Sequence, residues 1–190
     1  MQFQIGVRAA IVIAALLVSS GAGAQQVVDS QFHPVVEHPA FEPQRGPVVM
    51  IDEAHFNIHT ASGQYAPFAA VLRQDGYRVA PFKTKFTAKA LTAGRVLVIA
   101  NALTGDAVSW MPKSACKLEA GSPNVSVKGW QQGAVLHYGK GRIAFFGEAA
   151  MFTAQLLGPR QDPMGLNNPG ALQNQQFLLN VVHWLTGVLK

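Results

Sequence analysis

Two runs of consecutive apolar residues constrain the fold of this chain most strongly. They are VVMI at 48–51 and VLVIA within 95–100. Runs without polar alternation are typical of strands buried on both faces of a parallel sheet. A helical pattern at 64–75 and a short strand pattern at 77–80 lie between them. This strand–helix–strand order predicts parallel strands joined by a right-handed crossover.

The helix expected at 64–75 is defined by its apolar stripe and by its ends. Phe68, Val71 and Leu72 follow the i, i+3, i+4 spacing of one buried helix face. Pro67 suits the first turn, where the missing N–H costs little. Gly76 stands where a left-handed residue ends a helix. We therefore expect this helix to cover one face of the sheet.

The C-terminal part of the chain predicts a hairpin followed by a helix. Strand patterns at 133–138 and 142–146 flank the turn Gly139-Lys140-Gly141. A broad apolar face from residue 177 to residue 188 indicates the last helix, with Asn168 as its N-cap and Pro169 at its first position. Before the hairpin, alternation at 124–128 predicts an edge strand.

The first 24 residues have the three parts of a secretory signal peptide. Arg8 precedes an apolar run at 9–18, and Ala22-Gly23-Ala24 forms the cleavage site. The run is shorter than the roughly 20 residues that span a bilayer, so we expect no membrane span after cleavage. We divide the chain into a signal peptide at 1–24, a proline-rich leader or linker at 25–46 and a single domain at 47–190, located in the periplasm or secreted.

Charge and cysteine content exclude several function classes. Cleavage removes Arg8, which lowers the net charge from +5 to +4, and the remaining basic residues are scattered. Nucleic-acid-binding proteins cluster such residues on one face, so we expect no nucleic-acid partner. The only cysteine, Cys116, rules out an intramolecular disulfide, and it lies in KSACK rather than in a nucleophile elbow.

Polar residues follow each of the three expected strands, at 48–51, 95–100 and 142–146. If these strands share one parallel sheet, their carboxyl ends form a common rim, where ligands of such sheets bind. The candidate site residues are Asp52, Glu53, His55, His59, Asn101 and Glu148. Of these, Asp52, Glu53, His55 and Glu148 are the catalytic candidates, and His59 and Asn101 are the ligand-binding candidates.

Three interpretations of this rim remain open. Glu148 paired with Asp52 or Glu53 suits acid–base catalysis, with His55 as a proton shuttle. The two histidines with a carboxylate are also ligand types for zinc or another divalent ion. Alternatively, Asp52 and Glu53 cap the loop and bond its backbone N–H groups, with the histidines partly exposed. The histidines are not on an expected helix and the HExxH motif is absent, so we predict neither a metal nor another cofactor.

A second candidate ligand-binding segment precedes the last helix. Asn167 and Asn168 lie in MGLNNP, where free amides at a helix N-terminus suit a ligand. Ordinary capping by the asparagine side chains explains the same residues.

Three segments together resemble a known group of proteins. They are VVMIDEAHFNIHTASGQYAPFAAVLRQDGYRV (48–79), GRIAFFGEAAMFTAQLLG (141–158) and NNPGALQNQQFLLNVVHWLTG (167–187). They are similar to uncharacterised bacterial exported proteins with a class I glutamine amidotransferase-like domain. The resemblance implies an α/β, flavodoxin-like, three-layer sandwich with a mainly parallel sheet, plus the C-terminal hairpin and helix. No activity is attached to that group, so the resemblance implies no reaction for the candidate residues.

Two departures from that group bear on function. The amidotransferase nucleophile elbow is absent, so the resemblance does not imply glutaminase activity. A helix and a glycine-rich strand that usually follow the strand matching 95–100 are also missing. We therefore expect a non-catalytic binding domain for a small molecule, a glycan or a partner protein. The alternative is a hydrolase that uses Glu148, Asp52 and His55, with or without a metal.

Overall fold

The computed structural model describes residues 26–100, 102, 131 and 133–190. The expected signal peptide, Asn101, Cys116 and the edge strand expected at 124–128 lie outside these residues. The described part is a mixed α/β structure with one small parallel sheet and two antiparallel sheets.

The parallel sheet has three strands in the order β3-β2-β4. They are β2 (Val48–Asp52), β3 (Arg78–Phe82) and β4 (Val96–Val98). Val49 pairs with Val79 on one side of β2 and with Val96 on the other. The predicted parallel pairing of these strands is confirmed, and β2 is buried along nearly its whole length because it lies in the centre.

Helix α1 (Ala66–Gln74) connects β2 to β3 and packs on one face of this sheet. Its buried residues include the predicted Phe68, Val71 and Leu72, with Pro67 in the first turn. Gly76 has a φ of +87° and ends the helix in the left-handed conformation, as predicted. A single-turn helix, α2 (Ala88–Leu91), then leads into β4.

The last helix, α3 (Asn174–Thr186), starts later than predicted. Asn168 accepts a hydrogen bond from the backbone N–H of Gly170, two residues on, so its side chain supports a turn and does not cap the helix. Leu178, Leu179 and Val182 form the buried side of α3. The helix ends at Gly187, which has a φ of +87°.

A buried aspartate connects α3 to the end of α1. Asp75 accepts a hydrogen bond from the backbone N–H of Ala40 (2.7 Å) and pairs with Nε2 of His183 (2.5 Å). The Tyr77 and Thr186 hydroxyls bond beside it at 3.0 Å. The two helices and the segment before β2 are thereby held together by polar contacts as well as by the core.

The hairpin is confirmed as a structure, but its predicted place in the parallel sheet is wrong. Strands β5 (Gly133–Tyr138) and β6 (Gly141–Phe146) pair with each other in a separate two-stranded sheet. A local turn signal determines such a hairpin, but it carries no information about which strand edges the hairpin meets afterwards.

A third, antiparallel sheet has no counterpart in the sequence analysis. It consists of β1 (Gln26–Val28), β7 (Ala154–Leu157) and β8 (Asp162–Gly165) in the order β1-β7-β8. A short 3-10 helix, Ala150–Phe152, precedes β7. The Thr153 hydroxyl donates to the Gln64 carbonyl, and the Gln155 amide donates to the Gln64 side chain at 2.9 Å. These bonds attach the sheet to the loop before α1.

The apolar core lies between the parallel sheet and the helices α1 and α3. Val49, Ile51, Leu72 and Leu178 are at its centre. Phe32, Val36 and Phe41, from the segment before β2, pack against its edge. No helix in the described part of the chain has the length and apolar character needed to cross a bilayer.

Candidate functional site

Asp52 and His55 form a close pair at the carboxyl end of β2. Asp52 is fully buried as the last residue of the strand. Nδ1 of His55 lies 2.9 and 3.0 Å from the two carboxylate oxygens of Asp52. One of these oxygens also accepts a hydrogen bond from the Ala54 backbone N–H at 3.1 Å. The carboxylate therefore fixes the orientation of the imidazole.

The opposite side of the His55 ring is accessible. The side chain is 35% exposed, and the ring stacks on Phe86 with centroids 4.1 Å apart. A neutral imidazole that donates its Nδ1 proton to Asp52 presents Nε2 as a base. This Asp–His arrangement can accept a proton from water or from a ligand hydroxyl.

Glu53 is held by the loop that follows β2. Its Oε1 accepts a hydrogen bond from the Ala61 backbone N–H at 2.8 Å, and its Oε2 lies 3.6 Å from Nζ of the exposed Lys83. Both Asp52 and Glu53 thus bond backbone N–H groups, as the loop-capping interpretation predicts. The partial exposure that it predicts for the histidines holds for His55 and is wrong for His59, which is 7% exposed. The ion pair to Lys83 adds little because it is long and open to solvent.

Asn57 joins the carboxyl ends of β2 and β4. Its side-chain oxygen accepts from the His55 backbone N–H (3.0 Å), and its amide donates to the Ala100 carbonyl (3.3 Å). Asn57 and Ala102 also form an isolated antiparallel bridge. The ends of these two strands therefore meet, as expected, through a residue that the sequence analysis did not single out.

His59 and Glu148 form a second group with Tyr65. His59 is only 7% exposed, and its ring contacts the Tyr65 ring edge-on at 4.7 Å. The Tyr65 hydroxyl donates to the carbonyl of Ala149, next to Glu148, at 3.3 Å. Burial lowers the pKa of His59, while the nearby charge of Glu148 raises it by less. Burial, assisted by Glu148, raises the pKa of Tyr65.

These contacts lie beside a cleft of about 260 Å³. Its walls are residues 96–100 from β4 and its carboxyl end, residues 144–149 from β6 and the turn after it, and one side of α3. Tyr65, Phe68, Phe146 and Phe152 contribute aromatic rings. Among the described residues that line it, Glu148 is the only charged one.

The candidate catalytic residues therefore fall into two groups. Within the part of the chain that the structure describes, no hydrogen bond or ion pair connects Glu148 to Asp52 or to His55. The Glu148 carboxylate instead accepts from the Ala150 backbone N–H, at the start of the 3-10 helix. The charge of Glu148 acts on His59 and Tyr65.

The two asparagines before the last helix have structural contacts. The Asn167 amide donates to the Asp29 carboxylate (2.8 Å) and to the Gln155 carbonyl (3.1 Å), which ties the turn after β8 to the segment after β1 and to β7. Asn168 supports the turn described above. Neither asparagine lies at the N-terminus of α3, and neither lines the cleft.

No cluster of three metal-ligating side chains is present among residues 26–100, 102, 131 and 133–190. His55 has a carboxylate partner, while His59 contacts Tyr65 and lies within electrostatic range of Glu148.

Sequence reasoning overlooked most of the residues that shape the cleft. Tyr65 and Phe68 are three positions apart at the start of α1, a spacing that places their rings on one face, where they stack at 5.0 Å. That spacing was a usable signal for Tyr65. Phe152 lies in a 3-10 helix too short to give a periodic pattern.

Comparison with known proteins gives no assignment. The chain has no significant match to a protein-family model, to a curated protein or to a solved structure.

Proposed function

We propose that this protein is an exported binding protein whose cleft between β4, β6 and α3 holds a small molecule. The cleft of about 260 Å³, with aromatic walls and one carboxylate, carries this proposal. Ligand sites have this character, apolar surfaces with a few placed polar groups. This volume is near the lower end of small-molecule sites, which span roughly 300–1,000 Å³, so we expect a monocyclic or short aliphatic ligand.

The proposal includes the flavodoxin-like, amidotransferase-like fold and the cleavable signal peptide at 1–24. The strand order β3-β2-β4 supports this fold, because the chain adds strands first on one side of β2 and then on the other. Such a reversal creates a crevice at the carboxyl ends of the strands, where α/β proteins of this type bind ligands. The hydrogen bond from the Asn57 amide to the Ala100 carbonyl lies at that crevice. The cleft borders β4 and its carboxyl end, on the strand next to β2.

A cleft-filling variant tests the binding function. Ala144 lines the cleft, so Ala144→Leu adds side-chain volume there without removing a polar group. Ala134→Leu places the same change on the partner strand of the hairpin, outside the cleft, and serves as the matched control. Ligand-observed NMR with a library of small aromatic and aliphatic compounds should find binders whose signal is lost in Ala144→Leu and kept in Ala134→Leu. Equal binding by both variants would contradict the proposal.

The Asp52–His55 pair favours a second candidate function, a hydrolase in which His55 activates water. The carboxylate 2.9 Å from Nδ1 supplies the orientation that a general base needs. We expect such activity to fall by 100-fold or more in His55→Ala, on the order of the general-base contribution. His38→Ala, a change at an exposed histidine, is the control. A panel of nitrophenyl esters and phosphates is the assay, and activity unchanged in His55→Ala would exclude this candidate.

A further inference from the structure

One exposed carboxylate contributes to the lining of the cleft, and the other described lining residues do not balance its charge. Glu148 contributes a carboxylate, and no lysine or arginine is among the described residues that line the cleft. The bond from the Ala150 N–H holds one carboxylate oxygen. No residue in the described part of the chain donates a hydrogen bond to its second oxygen. This oxygen is available to a ligand.

The neighbouring histidine does not supply the missing positive charge. His59 is buried, and burial depresses its pKa, so the imidazole is neutral at neutral pH despite the proximity of Glu148. Its Nδ1 is buried and has no hydrogen-bond partner among the described residues. An unpaired buried nitrogen of this kind is uncommon in folded proteins. His59 contacts Tyr65 but does not itself line the cleft, so the carboxylate of Glu148 is the charged group that a ligand there would meet.

Aromatic rings complete the environment around the carboxylate. Tyr65 stacks on Phe68, and Phe152 contacts Phe146 edge-on at 4.9 Å. Tyr65, Phe68 and Phe152 are 3–6% exposed, so only part of each ring borders the cleft. The negative electrostatic potential on the face of an aromatic ring attracts organic cations. An anionic ligand would instead meet both this potential and Glu148.

We propose that the ligand is an organic ammonium ion with an apolar body. Its charged end lies beside Glu148 and Tyr65, and its apolar part occupies the space lined by Phe68, Phe152 and α3. This inference rests on the proposed binding function and adds the chemical class of the ligand.

Three small probes of nearly equal size test the charge preference. Phenethylammonium, 2-phenylethanol and phenylacetate share the phenyl ring and differ in the charge of the terminal group. We expect phenethylammonium to bind about 5- to 10-fold more tightly than the alcohol, in line with one ion pair and one cation–π contact. Phenylacetate should bind more weakly than the alcohol. Titration by NMR on the wild-type chain gives the three affinities.

A variant without the Glu148 charge tests whether this carboxylate causes the preference for the ammonium probe. Glu148→Gln should remove the ion-pair part of the preference, so that the affinity for phenethylammonium falls toward that for 2-phenylethanol while the affinity for the alcohol is unchanged. Glu42→Gln, at an exposed position outside the cleft, removes one negative charge and should preserve the discrimination. Equal affinities for the amine and the alcohol, or discrimination of undiminished size in Glu148→Gln, would overturn the ammonium inference alone. The absence of binding by all three probes would overturn the inference, while cleft-specific binding of other compounds in the library would leave the binding function standing.

Discussion

At the scale of single residues, the candidate site illustrates how burial determines the roles of similar side chains. His55 and His59 are four positions apart, yet His55 is paired with Asp52 and half-exposed, whereas His59 is buried against Tyr65. The first histidine is suited to proton transfer. The second is suited to remaining neutral within an apolar wall.

Burial of His59 makes stability depend on pH. The pKa of His59 is lowered in the folded state, so the unfolded chain takes up a proton first as the pH falls. The contribution of His59 is fully present above the ordinary histidine pKa of about 6.5 and is lost as the pH falls through the lower, folded-state value. Between pH 7 and pH 5 the free energy of unfolding should therefore decrease, with a His59 slope of at most about 1.4 kcal/mol per pH unit.

Urea denaturation at several pH values measures this slope. His59→Phe keeps a ring at the position and cannot titrate, so its stability should depend less on pH than that of the wild type. His38→Phe, at an exposed histidine, should keep the wild-type slope. If the His59→Phe and wild-type profiles run parallel across this range, the buried-neutral assignment of His59 is wrong.

At the scale of elements, the ends of the helices depend on glycines in the left-handed conformation. Gly76 ends α1 and also lies against the segment before β2, where a Cβ would be 2.2 Å from the Phe41 carbonyl oxygen. Gly139, in the hairpin turn, also has a positive φ, but a Cβ there would meet nothing within 4 Å. A substitution at Gly139 therefore tests backbone strain alone, whereas a substitution at Gly76 adds a steric clash with the segment before β2.

Alanine substitutions at these two glycines should therefore differ in cost. Gly139→Ala should lower the free energy of unfolding by about 1 kcal/mol, the strain of a left-handed alanine. Gly76→Ala should cost at least about 1–2 kcal/mol more, because the segment before β2 must also move. Thermal and urea unfolding of the two variants give the comparison, and equal losses would show that the contact with Phe41 is unimportant.

At the scale of the whole molecule, the N-terminal segment is part of the structure of the domain. Strand β1 pairs with β7, and Asp29 accepts a hydrogen bond from Asn167. Further along, Phe32, Val36 and Phe41 pack on the core. The segment therefore connects the antiparallel sheet to the helices on the parallel sheet.

Removal of this segment should destabilise the domain. A chain beginning at Pro47 loses the β1–β7 pairing and three partly buried apolar side chains, at about 1 kcal/mol or more for each side chain. We expect a loss of about 3 kcal/mol or more relative to a chain that begins at Gln25, measured by urea denaturation. If the shorter chain does not fold, Phe41→Ala in the longer chain removes only one of these side chains, and it should lower the free energy of unfolding by a smaller amount. A shorter chain of undiminished stability would show that the segment is only a linker.

Local sequence patterns predicted the elements whose signals are short-range. The apolar runs of β2 and β4, the stripe and glycine end of α1, and the turn of the β5–β6 hairpin were all recognised, because each depends on neighbouring residues. The burial on both faces expected for the second run is wrong, since Leu97 and Val98 are only partly buried and Ile99 is 54% exposed. The start of α3 was misplaced because Asn168 makes a cap-like bond in a turn as readily as at a helix end.

The sequence by itself determined which residues form the parallel strands and which polar groups follow them. Only the tertiary structure decided that β6 forms a sheet apart from β2, that Glu148 acts on His59 and Tyr65, and that Asp52 pairs with His55. The physical reason is the range of the interactions. Helix and turn signals operate over a few residues, whereas the cleft joins side chains from residue 65 to residue 185 through packing that no local pattern encodes.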